Sequence, residues 1–422
     1  MKLVVKSLVK LVKSDYGLSL LGKVLSIVIG LLSSIFYIRY LGIEFKGEYS
    51  YINEISSIAA LILNFGIYQS YPYYYRRLKQ EVYAKYVKIF STQFVVYSII
   101  VMTLFFLPNN TLVVKLVLIQ IPVLVLKTQL DNIVLIERFR LFVIMDIIYK
   151  SALCLFYFFL WLFADSSLIY MVIGVTIINL VFCELYLLFT RRIKLEFKLD
   201  IDVAFLKDVI KFGFFPMLSA LLLTLNYSAD IIFLRILGDS KELSLYSTAA
   251  IVINYVWIFP NAFKDVLIGQ VARKYDENRV AFSVKISLFI TMIVFIVFLI
   301  LGKLAIRIVF GKDFIGCYEI ILVLFLGTFS MIFFKMFGTV FVTEGKRVLY
   351  FVILLISVIA NLIANYVLIP ILGMYGAGIS SVVSYDICGI AFLIAYCRYK
   401  KTKISQYFIF TRKDIAEIKK KI

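Results

Sequence analysis

Residues 18–40 read LSLLGKVLSIVIGLLSSIFYIRY, and only Lys23 and Arg39 in that stretch are charged. The run exceeds the roughly 20 residues that carry a helix across a hydrocarbon core. It shows no period-two alternation, so it is neither a half-buried strand nor a strand of a membrane barrel. Similar runs fill the chain. Of its 422 residues 63% are hydrophobic and 17% charged, and the mean hydropathy is +0.97. A soluble domain has to face water over its whole surface and cannot be built from this composition.

The same reading gives twelve helices, at about 18–40, 48–75, 83–107, 112–136, 142–164, 168–189, 212–236, 243–268, 283–309, 317–342, 350–369 and 376–397. Numbering the loops from the amino terminus separates the basic residues by parity. About 33 of the 45 Lys and Arg fall on one side, about 8 on the other and four inside spans, which puts both termini in the cytoplasm. The expected layout is an all-α integral membrane protein of two six-helix bundles, 18–195 and 212–397, joined by a cytoplasmic connector at 196–211. A basic interfacial helix over 1–17 precedes them, with Lys2, Lys6, Lys10 and Lys13 on one face. A basic tail, 398–422, follows. Pro122, Pro216 and Pro260 remove backbone hydrogen bonds in or at the starts of helices and mark places to bend.

Composition also excludes functions. The chain has no histidine, so HExxH zinc sites, Ser-His-Asp triads and histidine proton relays are ruled out. No stretch has the spacing of a phosphate-binding loop. The five cysteines show no CxxC spacing and read as small buried hydrophobes. The net charge of +19 lies in short loops, where membrane topology accounts for it without nucleic acid. No metal site, catalytic residue or cofactor is expected, and the chain is not read as an enzyme.

An internal repeat supports the two halves. Ile35-Phe36-Tyr37-Ile38-Arg39-Tyr40-Leu41-Gly42 returns as Ile231-Ile232-Phe233-Leu234-Arg235-Ile236-Leu237-Gly238, with Tyr49-Ser50 and Tyr246-Ser247 following. Six spans per half make the repeats parallel, with a cavity expected between the bundles.

Arg39-x-Leu41-Gly42 with Gly47-x-Tyr49-Ser50, its second copy, and Asn361-Leu362-x-x-Asn365-Tyr366-x-Leu368-Ile369-Pro370-x-x-Gly373-x-x-Gly376-Ala377-Gly378 resemble the polysaccharide-unit flippases. These belong to the multidrug/oligosaccharidyl-lipid/polysaccharide exporter superfamily, and the likeness runs over essentially the whole chain. Gly22-Lys23-Val24-Leu25 is similar to the first helix of the related lipid II flippases, with lysine where arginine is usual and twelve spans where fourteen are typical. The resemblance implies a MATE-like fold in a bacterial cytoplasmic membrane. The implied cargo is an undecaprenyl-diphosphate-linked oligosaccharide for O-antigen, capsule or exopolysaccharide. Membrane lipids are expected partners, with a polymerase and glycosyltransferases as further ones. Two alternatives stay open, a cation-coupled multidrug antiporter of the same superfamily and a membrane glycan polymerase or ligase.

A charge near the bilayer centre is costly and marks a functional candidate. Lys127 has Asp131 four residues on, and Lys150 has Asp146 four residues back, so each pair can neutralise itself on one helix face. Lys23 and Lys335 have no acidic residue three or four positions away. Each either snorkels to the interface or faces the cavity and binds an anion from the inner leaflet, where a lysine suits a phosphate that must later be released. Arg39 and Arg235, at matching outer helix ends, are candidate later contacts. Asp230, Asp386 and Glu54 are candidates for coupling to Na⁺ or H⁺. The plainer reading of Asp230 and Glu54 is that they balance Arg235 and Arg39 near the outer water. Tyr71, Tyr73, Tyr74 and Tyr75 beside Arg76 and Arg77 read as an interfacial belt.

Overall fold

The structure is a computed structural model that describes residues 15–190, 202–271 and 275–409. Among these residues it is all-helical. The helices are α1 (Asp15–Leu63), α2 (Ile67–Leu78), α3 (Gln80–Phe105), α4 (Leu112–Glu137), α5 (Phe139–Phe163), α6 (Leu168–Thr190), α7 (Val203–Leu237), α8 (Ser240–Val256), α9 (Ile258–Val271), α10 (Glu277–Val309), α11 (Cys317–Thr343), α12 (Arg347–Leu372) and α13 (Met374–Lys400). Short 3₁₀ turns lie at Lys312–Phe314 and Ile404–Tyr407. Ten helices are long and apolar enough to cross a membrane, or eleven with the bent pair α8 and α9 taken as one span. Their outward faces carry large side chains such as Ile300 and Ile363, whose exposure suits lipid. The interfacial helix expected at 1–17 lies almost wholly outside the described residues, as do residues 196–201 of the connector and the end of the tail.

Several expected boundaries move, each for a local reason. The first two expected helices are one element, α1, broken in direction at Gly42, whose φ of 61° is the left-handed region that glycine tolerates. The second then stops at Leu63 and does not run on to Tyr75. Phe65 (φ 49°) and Gly66 (φ 73°) turn the chain, and the carbonyl of Leu63 accepts hydrogen bonds from the Tyr97 hydroxyl (2.8 Å) and the Gln93 amide (3.4 Å). Gly66 lies against the backbone of Gly213. A Cβ built on it would stand 2.2 Å from that residue's carbonyl oxygen.

Contacts divide the chain into two units, Met1–Leu221 and Leu222–Ile422, with the boundary inside α7. The connector expected at 196–211 is therefore helical from Val203. Asp202 Oδ1 accepts from the Phe205 backbone N–H at 3.0 Å and caps the helix early. Phe205 and Val209 then pack into the first unit's aromatic core with Tyr71, Tyr86 and Phe90. Tyr71 is a correction to the interfacial belt. It is fully buried, meets Tyr86 edge-on and donates its hydroxyl hydrogen to Glu137.

In the second unit the helix expected at 243–268 bends by 43° between Val256 and Ile258. Pro260 has no N–H to give the carbonyl of Val256, so the helical ladder is interrupted there. Pro122 and Pro216 lie inside α4 and α7, neither of which is interrupted. Cys183, Cys317, Cys388 and Cys397 are buried free thiols, Cys154 a half-buried one. The expected repeat has a structural trace. Gly42 marks the break in α1 and Gly238 the break between α7 and α8, and Tyr49 and Tyr246 beyond them are both buried.

Candidate functional site

In the first unit the span lysines at 127 and 150 meet the carboxylates their spacing selects. Lys127 Nζ lies 2.7 Å from Asp131 Oδ2, and Lys150 Nζ 2.7 Å from Asp146 Oδ2. The Ser26 hydroxyl of α1 donates to the same Asp146 oxygen at 3.0 Å, tying α1 to α5. Lys127 also stands over the ring of Tyr149 (4.2 Å), whose hydroxyl donates to Asn179 Oδ1 at 2.8 Å. Lys23 is exposed on α1 beside Val24 (52% exposed) and Leu25 (48%). Arg39 and Arg235 are exposed near the ends they were expected to mark, Arg39 with its guanidinium 5.8 Å from the Trp161 ring. Glu54 is half-buried.

The second unit holds a buried polar column that the sequence did not announce. Asp230 is 0% exposed, which corrects the reading of it as a near-surface partner for Arg235. Its Oδ1 accepts from Asn361 Nδ2 (3.1 Å) and Asn365 Nδ2 (2.5 Å), and its Oδ2 from the Tyr246 hydroxyl (2.7 Å) and the Ser381 hydroxyl. One turn earlier Asn226 Nδ2 donates to Ser357 (2.6 Å) and Ser384 (2.8 Å). Neutral donors thus compensate the carboxylate. Two carbonyl oxygens of the column, Asn226 Oδ1 and Asn365 Oδ1, are buried with no donor. A carboxylate with orphaned amide oxygens nearby is an oxygen set of the kind a hard cation takes. Asp386, half-buried on α13, accepts from the Ser330 hydroxyl.

The same unit holds a cavity of about 480 Å³. Its wall includes Tyr227 of α7, Asn254 of α8, Trp257 at the bend, Asn261 and Lys264 of α9 and Lys335 of α11. None of the described lining residues is acidic. Lys335 is 7% exposed. Its ammonium donates to Asn261 Oδ1 at 2.9 Å and sits 4.6 Å from the Trp257 ring and 5.8 Å from the Tyr227 ring. Lys264 Nζ is 4.0 Å from Asp265 Oδ1. The bend at Trp257 brings Trp257, Asn261 and Lys264, three and four residues apart, to one wall opposite α11. Of this group the sequence alone points only to Lys335. Pro260 was the signal that could have pointed to the rest.

No family model matches the chain. Over 241 residues, 56% of its length, it is 26% identical to the capsular polysaccharide biosynthesis protein CapF of Staphylococcus aureus, and it spans about 60% of that protein. Among solved structures it is similar to the lipid II flippase MurJ in an inward closed conformation, with a TM-score of 0.76 at 15% identity over 92% of this chain and 88% of that one. It is also similar to an inward-facing multidrug resistance MATE family transporter of the MOP superfamily, with a TM-score of 0.66 at 16% identity over 90% and 96%. The chain is a multi-pass membrane protein with the fold shared by MurJ and the MATE transporters.

Proposed function

We propose that this protein is a flippase of twelve spans with both termini cytoplasmic, not an enzyme. It carries an undecaprenyl-diphosphate-linked oligosaccharide from the cytoplasmic to the outer leaflet of a bacterial cytoplasmic membrane by alternating access. The observation that supports the reading is the Lys335 ammonium, buried in the wall of a cavity none of whose described lining residues is acidic. An antiporter for organic cations needs acidic groups in that place, whereas an anionic cargo needs a cation. The likeness to a capsule biosynthesis protein supports a glycan cargo, and the fold shared with MurJ supports a lipid-linked one. Glycosyltransferases and a polymerase acting before and after it would be its partners.

Lys23 serves as an entry handle for the diphosphate, with Arg39 and Arg235 as later contacts. Lys127 and Lys150, held by their aspartates, keep a smaller share of the binding. Coupling is assigned to Asp230, with Na⁺ or H⁺ entering among its amide oxygens, and to Asp386 and Glu54 behind it. Deleting the gene tests the reading. Lipid-linked units should accumulate on the cytoplasmic face, with rescue by wild type and weak rescue by Lys335→Ala. Normal surface polymer in the deletion strain would end the proposal.

A further inference from the structure

The cavity of the second unit has more hydrogen-bond donors than acceptors to meet them. Lys335 brings three N–H groups and uses one on Asn261. Trp257 is 5% exposed, and its indole N–H, fully buried, finds no acceptor among the described residues. A buried donor without a partner costs about 1–3 kcal/mol, and this one belongs to a residue of the cavity wall. The acceptors on offer are of another kind. The hydroxyls of Thr339 and Thr343 already donate within α11, at 2.8 Å to Lys335 O and 2.8 Å to Thr339 O. Their lone pairs remain for the O–H groups of a ligand. Tyr227, Trp257 and Tyr350 give the cavity an aromatic wall, and its volume suits a small ligand or one or two rings.

We propose that this cavity is a subsite for an anionic sugar, a pyranose bearing a carboxylate or phosphate. The anion is held by Lys335, the ring lies against the aromatic wall that Trp257 helps to form, and its hydroxyls are met by Thr339, Thr343 and Asn254. An anion with no ring leaves the aromatic wall unused, and a neutral sugar brings no charge to the ammonium. The inference rests on the flippase reading for where such a sugar comes from, the transported glycan, and on the cavity alone for its chemistry.

The chain has two tryptophans, so the full-length Trp161→Phe variant makes Trp257 the sole indole reporter. Purified in detergent, it would be titrated with D-glucuronate, D-glucose and inorganic pyrophosphate while Trp257 emission is followed. The expected result is a saturable change with glucuronate and binding about tenfold or more weaker with glucose, the size of one charge-assisted contact. Adding Lys335→Gln should bring glucuronate down to the level of glucose, and Lys335→Arg should retain part of the preference. Acrylamide quenching without the lysine variants gives a readout that does not depend on their folding, since glucuronate should shield the indole and glucose should not. Equal responses to glucuronate and glucose overturn the proposal, as does no saturable response to any probe. A response to pyrophosphate that exceeds the one to glucuronate overturns the sugar and assigns the anion to the lipid carrier's diphosphate. Binding needs no transport. Failure here, with lipid-linked units accumulating on gene deletion, removes the subsite and leaves the flippase. Binding here without accumulation removes the flippase and leaves the site.

Discussion

Replacing Asp230 by alanine should destabilise the second unit severely, and replacing it by asparagine only mildly. The carboxylate receives two amide and two hydroxyl donors. In the alanine variant some of these can pair with each other, because the Tyr246 and Ser381 oxygens are already 3.1 Å apart and Asn365 Nδ2 is 3.0 Å from Asn361 Oδ1. About two donors are left buried without an acceptor, at roughly 1–3 kcal/mol each. Loss of the desolvated charge returns part of this, so the net cost is about 2–4 kcal/mol. Asparagine keeps the shape and one acceptor oxygen, and its amide can donate to hydroxyls that rotate to accept. Its cost is about 1 kcal/mol. With roughly 2–4 °C per kcal/mol for a unit of this size, alanine should lower the melting temperature by about 5–15 °C and asparagine by a few degrees. Tryptophan-fluorescence melting in detergent reads both. An alanine variant that melts with wild type, or an asparagine variant that melts below the alanine one, would overturn this.

Three other outcomes follow from local geometry. Gly66→Ala places a methyl 2.2 Å from the Gly213 carbonyl at a φ of 73°, so the melting temperature or folded yield should fall by an amount matching about 2–4 kcal/mol. Asn64→Ala nearby should cost less. Lys127→Met or Asp131→Asn alone should destabilise by about 1–3 kcal/mol and the pair of changes by less than the sum, a coupling that a double-mutant cycle of melting temperatures measures. The backbone N–H of Phe205 holds the Asp202 carboxyl below its ordinary value of 3.8, with Lys85 adding to the effect. A depressed carboxyl contributes above its unfolded value and is lost as pH falls through the folded one. The Phe205 amide should therefore lose hydrogen-exchange protection as pH drops below 3.8, and unchanged protection there would contradict the cap.

What was legible in the sequence was what a helix repeats locally. The pairs at 127/131 and 146/150 could be named because four residues bring side chains to one face. The apolar runs gave the spans for the same reason, and Gly42 lay in the quoted repeat. Asp230 shows where local reading stops. Arg235 is close in sequence, yet five residues rotate about 140° away around the helix. The actual partners stand 16 to 151 residues off on three other helices. Asn361 and Asn365 were visible as a motif, but nothing local says that their amides close on a carboxylate of α7. The cavity is non-local in the same way, since Lys335 and Asn261 are 74 residues apart and meet only because α9 bends away from α8 at Trp257.

A flippase of this kind must move a lipid-linked anion from one leaflet to the other. The most direct measurement uses proteoliposomes containing the purified chain and a fluorescent short-chain polyprenyl-diphosphate glycan in one leaflet, with an impermeant quencher reporting how much of it crosses. Wild type should equilibrate the probe between leaflets, and Lys335→Ala should slow it about tenfold, as expected for loss of one charge-assisted contact. A probe that stays where it was placed, in vesicles whose protein is folded and inserted, would contradict the account.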